Sequence, residues 1–329
     1  MRGEQASRFS FRAIEVFITI VEEGAITAAA RRLDASPSAI SLQLSNLEAA
    51  LGTRLLERSS QRFALTDAGE LFHPRAIKIL DEVTSARAAL SKSEKSPRIV
   101  LKLAMIEDFD TFVMPNWIRA VSDEYPNIKF KIRSGPSHEN HAALDNRSAD
   151  MIIAVDSVDA ADWVDEYPIL SDPYVLVKST KLRNTRASDD LVRHPFIRYS
   201  REQLMGRQIE AHLRRSKITP PKIHEFTSNQ AVFSMVDAMH GWTITSCTAL
   251  ASIMFAENEV FHADKYIVSP LPFPAFNRRI SLSVRRDAFG ELPPVFANYL
   301  REVLREHLIA PFHKSFDGLG LSKELAILD

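Results

Sequence analysis

Two glycines fall within residues 11–52, and each stands where a helical apolar stripe stops. Phe11, Ile14, Phe17, Ile18 and Val21 recur at spacings of 3, 3, 1 and 3, one face of a helix, and Gly24 follows as a left-handed stop. Ser36 suits a helix cap and Pro37 the first helical turn, after which Ile40, Leu44, Leu47 and Leu51 repeat at 4, 3 and 4 until Gly52. Between these two, Thr27 can cap a short helix over Ala28–Leu33, whose three alanines let another backbone come close. The opening of the chain is therefore expected as three short helices, with a tight turn at Asp34–Ala35 before the third.

The face of the third helix opposite its apolar stripe shows Ser38, Ser41, Leu42, Ser45 and Asn46. From Gly52 to Leu65 come Arg54, Arg58 and Arg62 against Glu57 alone, with Ser59, Ser60 and Gln61 reading as a turn between two short extended pieces. A small basic hairpin is expected there. Thr66 then suits a cap and Asp67 the first turn of a long helix to about Leu90, where the helix dipole favours a negative charge. Pro74 should kink that helix, since it removes the bond to Glu70. The polar run Ser91–Pro97 reads as a linker.

After Pro97 the rhythm changes. Ile99–Ala104 and Ile128–Ile132 alternate like strands, and Met151–Val155 is a continuous apolar run of the kind found in buried parallel strands. Helical stretches at 111–124 and 139–147 separate them, so an α/β domain with a parallel sheet is expected. Further strands are expected at Tyr174–Lys178, Phe196–Tyr199, Trp242–Ser246 and Arg279–Val284, and helices at 201–216, 229–240 and 294–307. Signals weaken after Pro311, which suggests a loose tail. The expected division is 1–66 for the helical head with its hairpin, 67–91 for the long helix, 97–310 for the α/β domain with residues 171–270 as its second subdomain, and 311–329 for the tail.

A chain of 329 residues, 25% charged and 45% hydrophobic, excludes a disordered, collagenous or disulfide-stapled class, and Cys247 is its only cysteine. No signal-peptide core and no membrane-length apolar run is visible, which points to the cytoplasm. Two helices joined by a short turn, the second with a polar outer face, have the spacing of a helix-turn-helix. Such a helix fits the major groove, where Ser, Gln and Asn bond base edges and Leu42 can meet a thymine methyl. The hairpin arginines would lie along phosphates, giving affinity without sequence reading. Net charge offers little support: residues 1–66 carry 8 Arg, no Lys and 7 Asp or Glu. An all-helical packing or dimerisation unit is the other reading of the periodicity.

The stretch Phe11–Glu70 closely resembles the winged helix-turn-helix of LysR-type transcriptional regulators. The matching pieces are AAARRL, SPSAISLQLSNLEAALG, LLER and LTDAGE, in that order and spacing. Farther on, RIVLKLAMIEDFDTFVMPNWIRAVSDEYPNIKFKIR resembles the opening βαβ of the family's effector domain, SADMIIAV its next strand, and VDAMHGWTI a later helix and strand. The resemblance implies an N-terminal winged helix-turn-helix, a long linker helix that pairs two subunits, and a two-subdomain α/β effector domain like a periplasmic binding protein. It implies a regulator of transcription bound to promoter DNA, switched by a small-molecule effector, working with RNA polymerase, and assembled with itself as a dimer or tetramer, without a cofactor, catalysis or membrane. Arg31, Arg32, Ser36, Ser38, Ser41, Leu42, Asn46, Arg54, Arg58 and Arg62 are the DNA-facing residues it implies. Leu42 and Pro37 depart from the Arg and Gln common at those places.

A ligand of a parallel α/β sheet sits beyond the carboxyl ends of the strands, where helix N-termini offer free N–H groups. That rule selects Ile106, Asp108 and Thr111 after the first strand, Ser134 and Gly135 after the second, Thr227, Ser228 and Asn229 before a later helix, and Thr245 and Ser246 after the strand that follows. Arg198 and Ser200 can reach the cleft from the second subdomain. Asp108 stands where the family often has a small hydroxyl residue, so a carboxylate there should disfavour an anionic effector; its plainer reading is a helix cap over Asp110 or Thr111. The pair His138 and His141 reads first as a solvated helix start, and Cys247 as a small buried residue. Against an enzyme or transport-type binding protein, no Gly-rich phosphate loop, GxSxG or HExxH motif occurs. A co-regulator that dimerises without reading DNA is the remaining alternative.

Overall fold

The computed structural model describes residues 9–58, 63–89, 99–157, 161–183, 187–221, 223–255, 265–286, 288–316 and 325–328. The chain divides into two units, Met1–Ala89 with Asp287–Gly290, and Leu90–Arg286 with Glu291–Asp329.

In the first unit, α1 (Phe11–Glu23) starts on Ser10, whose side chain accepts from the Ala13 N–H, and ends on left-handed Gly24. Helix α2 (Ile26–Arg32) begins two residues earlier than its sequence suggests: Ala25 holds the cap position without a side-chain bond, and Thr27 lies inside the first turn. The turn that follows is closed by Ala35 N–H donating to Ala30 O at 3.0 Å. It places Asp34 at φ 50°, a left-handed conformation that Asp tolerates better than most residues. Helix α3 (Pro37–Leu51) has Ser36 as its side-chain cap and left-handed Gly52 as its stop. Strands β1 (Leu56–Arg58) and β2 (Phe63–Leu65) pair antiparallel, with Leu56 opposite Leu65. The tip between them, including Arg62, lies outside the described residues. Glu48 fixes the approach to β1 by accepting from both Leu55 N and Leu56 N, at 2.8 and 3.1 Å.

Helix α4 (Asp67–Ala89) starts on Thr66, whose hydroxyl accepts from Gly69 N, and it continues through Pro74 as one helix. The core of this unit joins all four helices. Ile14, Phe17 and Ile20 of α1, Ala29 and Ala30 of α2, Ile40, Leu44 and Leu47 of α3 and Ala76 of α4 are buried together. Leu51, the last residue of the α3 stripe, is half-buried.

The second unit is built on a sheet of mixed direction. Its elements in chain order are β3 (Ile99–Met105), a 3-10 turn (Glu107–Phe109), α5 (Met114–Glu124), β4 (Ile128–Ser134), α6 (Ser137–Asp145) and β5 (Met151–Val155). Then come β6 (Val164–Ser179), α7 (Ala187–Arg193), β7 (Phe196–Tyr199), α8 (Leu204–Arg215), β8 (Ile223–Phe226), α9 (Asn229–Ala238), β9 (Trp242–Ser246) and α10 (Cys247–Met254). The last are β10 (Tyr266–Ser269), β11 (Asn277–Arg285), α11 (Leu292–Leu304), a π-turn, α12 (Ala310–Ser315) and β12 (Ala326–Ile327). The strand order is β4-β3-β5-β11-β6-β9-β7-β8, with β10 and β12 also paired to β6.

Strands β4, β3 and β5 run parallel, as do β8, β7 and β9, whereas β11 and β6 pair antiparallel to their neighbours. The expected parallel sheet is thus two parallel sets joined through two antiparallel strands. Strand β6 is the reason: its first part pairs with β11 and its second with β9 and β10, so one continuous strand belongs to both halves. Each half has its own core, Ala104, Leu144, Ile152 and Ala154 in the first, and Tyr174, Ile197, Tyr199, Val236, Trp242 and Ile244 in the second.

The described residues of the expected loose tail are packed, which corrects that expectation for 311–316 and 325–328. Phe312 in α12 and Leu325 are buried, and β12 pairs with Leu170 and Ser171 of β6. Among the described residues, no helix is long and apolar enough to cross a membrane.

Candidate functional site

In the first unit, chemistry is concentrated on the free side of α3. While Ile40, Leu44 and Leu47 are buried, Ser38, Ser41, Leu42, Ser45 and Asn46 are exposed, Leu42 at 61%. Ser36 is occupied as the cap and also lies 3.0 Å from the Ser38 hydroxyl. Arg54 is exposed, and Arg58 lies at the end of β1. Arg31 is exposed, but Arg32 spends its guanidinium within the unit, on Glu22 and Glu23 at 2.9 Å each.

In the second unit, a solvent-open cavity lies at the carboxyl ends of β3 and β7 and at the start of α9. Ile106, Asp108 and Gly135 line it from one half, and Tyr199, Thr227 and Asn229 from the other. Gln203, Glu107 and Arg278 complete its polar wall. A cleft walled by two halves of a domain is a usual setting of a binding pocket.

Behind the wall lies a buried network centred on Arg278 of β11, whose side chain is 4% exposed. Its guanidinium donates to Asp108 and, at 2.8 Å, to Asp172 of β6, Ser246 Oγ and Thr248 Oγ1. Burial alone would push the guanidinium's pKa down; Asp172 and Asp108 outweigh it and hold the group above its ordinary range. Thr248 hydroxyl lies 2.6 Å from Asp172 and 3.2 Å from Asp108; its single proton favours the nearer carboxylate. Asp172 also receives the Thr248 N–H at the start of α10. At the cavity mouth, burial pushes the Glu107 and Asp110 carboxyls up, and the neighbouring negative charges of Asp108 and, for Glu107, Asp110 and Glu139 add to this.

Comparison with known proteins follows the same division. Residues 11–70 match the family described as bacterial regulatory helix-turn-helix protein, lysR family, and residues 94–307 match the LysR substrate binding domain. The chain belongs to the LysR family of transcriptional regulators. Among curated relatives of this LysR-family chain, the uncharacterized HTH-type regulator YfeR of Shigella flexneri is 26% identical, over 74% of this chain and 80% of that protein. The HTH-type regulator GltR of Bacillus subtilis is 24% identical over 73% and 80%. Among solved structures, a full-length OxyR variant from Pseudomonas aeruginosa superposes with a TM-score of 0.65 at 18% identity, covering 97% of this chain and 98% of that one. Full-length LysG from Corynebacterium glutamicum, with arginine bound as effector, gives 0.58 at 16%, covering 91% and 99%. At these identities the structures show a shared fold.

The regulator's sequence-selected cleft residues separate cleanly. Ile106, Asp108, Gly135, Thr227 and Asn229 line the cavity, and Ser246 stands behind it through Arg278. Thr111 and Ser134 are exposed outside the lining, Ser134 donating to Asp110. Ser228 is spent as the α9 cap, and Thr245 meets the Tyr199 hydroxyl at 2.8 Å. Arg198 is buried against Glu225 and near Glu210, lining a separate solvent-open cavity beside α8, and Ser200 donates to the same Glu225.

Asp108 does not cap its own turn; its carboxylate reaches Asn229, Thr248 and Arg278. His141 meets Val155 O at 2.9 Å, and among the described residues no group of side chains could hold a metal. Cys247 is buried in the first turn of α10.

Sequence reasoning missed Arg278, Asp172 and Thr248. Arg278 and Asp172 lie at the point where β11 crosses β6, a pairing between segments about a hundred residues apart. An Asp next to Pro173 and an Arg next to Arg279 look like ordinary surface residues until that pairing is known.

Proposed function

We propose that this regulator reads promoter DNA with the outer face of α3 and is switched by a small molecule in the cavity between the two halves of its second unit. The observation that carries the reading is the exposed polar set Ser38, Ser41 and Asn46 on a helix whose other face is buried in the unit's core. Short hydroxyl and amide side chains on a helix of this size reach base edges in the major groove, and Leu42 offers a methyl contact to thymine. Arg31, Arg54, Arg58 and Arg62 supply phosphate contacts; Arg32 contributes by fixing α2 against Glu22 and Glu23.

The switch is a two-state one. An effector that touches both walls of the cavity favours the arrangement of halves that it fits, by the difference in its affinity for the two arrangements. We further assign the protein to the cytoplasm, as a dimer or tetramer acting with RNA polymerase, and assign it no catalytic step.

Paired substitutions test the division of labour on the DNA. Ser38→Ala with Ser41→Ala should weaken binding to the operator roughly fivefold or more and leave random DNA unaffected, the scale of one lost hydrogen bond. Arg54→Ala with Arg58→Ala should weaken binding to both. Equal losses from both pairs on both DNAs would remove the proposed roles.

A further inference from the structure

We propose that Asp108 is the specificity-determining residue of the cleft: its carboxylate fills the cavity's own carboxylate seat from within, so that an effector cannot bring an anionic group there. This inference rests on the reading of the cavity as the effector site.

The seat is defined by its donors. Asn229 Nδ2, at the start of α9, donates to Asp108 Oδ1 at 2.8 Å. Arg278 of β11 donates to Oδ2, and the Thr248 hydroxyl in the first turn of α10 lies 3.2 Å from the same oxygen. Asp108 comes from the 3-10 turn after β3, in the first half, whereas α9 and α10 belong to the second. An amide from the far side of the cavity and a guanidinium from β11, one on each oxygen of a carboxylate, are the donors that a free carboxylate ligand would need. Here the protein supplies that carboxylate itself, 5% exposed and on the cavity wall.

The surrounding charges act in the same direction. The nearest carboxylates are Asp108, Asp172 behind the wall and Glu107 on it, and among the described residues Arg278 is the one basic side chain of the lining. Arg278 is committed to two of these carboxylates, so a second anion would meet an excess of negative charge. The effector class this wall accepts is a neutral or amine-bearing molecule.

Emptying the seat tests this. In the full-length protein, Asp108→Ala removes the nearer acceptor of Asn229, which keeps Ser252 at 3.3 Å, and one of the two carboxylates of Arg278, and lowers the melting temperature. Formate should then restore it saturably, by about 5 °C at a hundred times its dissociation constant, while formamide at equal concentration should not. Wild type and Asp108→Asn, in which the seat stays filled, should show no formate-specific rise. If Asp108→Ala does not fold by itself, refolding in formate against chloride gives the same readout. Rescue by formate in Asp108→Ala alone supports the built-in carboxylate. Absence of rescue, or the same rise in wild type, overturns it. Formate that rescues stability but leaves DNA binding of Asp108→Ala unchanged would uphold the seat and contradict the effector reading of the cavity.

Discussion

Arg278 holds two carboxylates in a place that water scarcely reaches, and each of the three groups is costly to bury without the others. Arg278→Met should therefore destabilise the protein by about 3–5 kcal/mol in urea unfolding, the range for one missing partner of a buried ion pair. A loss below about 1 kcal/mol would mean that the network is solvated in solution. Glu107 behaves in the opposite way. Burial and its acidic neighbours raise its folded pKa above the ordinary 4.5. Its ionisation therefore opposes folding, by an amount absent below the unfolded value and complete above the raised folded one. Glu107→Gln should raise the melting temperature at pH 7 and have no effect at pH 3; a gain at pH 3 would assign it to packing rather than charge. Asp108 was legible as an unusual carboxylate from its place after the first strand. Its partners were not, because Arg278 and Thr248 reach it across 170 and 140 residues of chain.

The elements of the first unit were legible because their ends are written locally. Ser36, Pro37, Gly24 and Gly52 each have a conformational job that a short window shows. Ala25, which begins α2 without a side-chain bond, leaves no such mark, and Thr27 next to it misleads. Two glycines separate conformational from steric need. At Gly52 a Cβ would meet nothing within 4 Å, and only the φ of +70° resists it. At Gly69 a Cβ would lie 2.1 Å from the carbonyl oxygen of Leu55. Gly52→Ala should cost roughly 1–2 kcal/mol, and Gly52→Asn less. Gly69→Ala should cost more than Gly52→Ala, in the range of about 1–3 kcal/mol for overpacking or beyond, because α4 must move away from the Leu55 carbonyl that precedes β1 to admit the methyl. Urea unfolding of the three variants gives this order; a tolerated Gly69→Ala would contradict the packing described. In the second unit, the sequence pattern shows five residues of the sixteen in β6, since Pro168 and Pro173 interrupt a strand pattern that only its pairing with β11 restores.

On the scale of the whole molecule, the chain joins a DNA-binding unit to an effector-binding one, and the proposed division of roles gives affinity and specificity to different residues. Removing Arg54 or Arg58 should lower the slope of log binding constant against log salt by about 1 for each phosphate no longer neutralised, whereas Ser41→Ala should leave the slope unchanged. The order of segments was visible in the sequence; the crossing of β6 and β11, which makes two halves and one cavity, depends on pairings too distant for any local pattern to show. The most direct measurement is binding of the purified full-length protein to the intergenic DNA upstream of its own gene and to random DNA, over a salt series with footprinting. The expected result is a specific complex protecting two spaced half-sites, surviving at salt concentrations that release random DNA. Binding to neither DNA at low salt would contradict it.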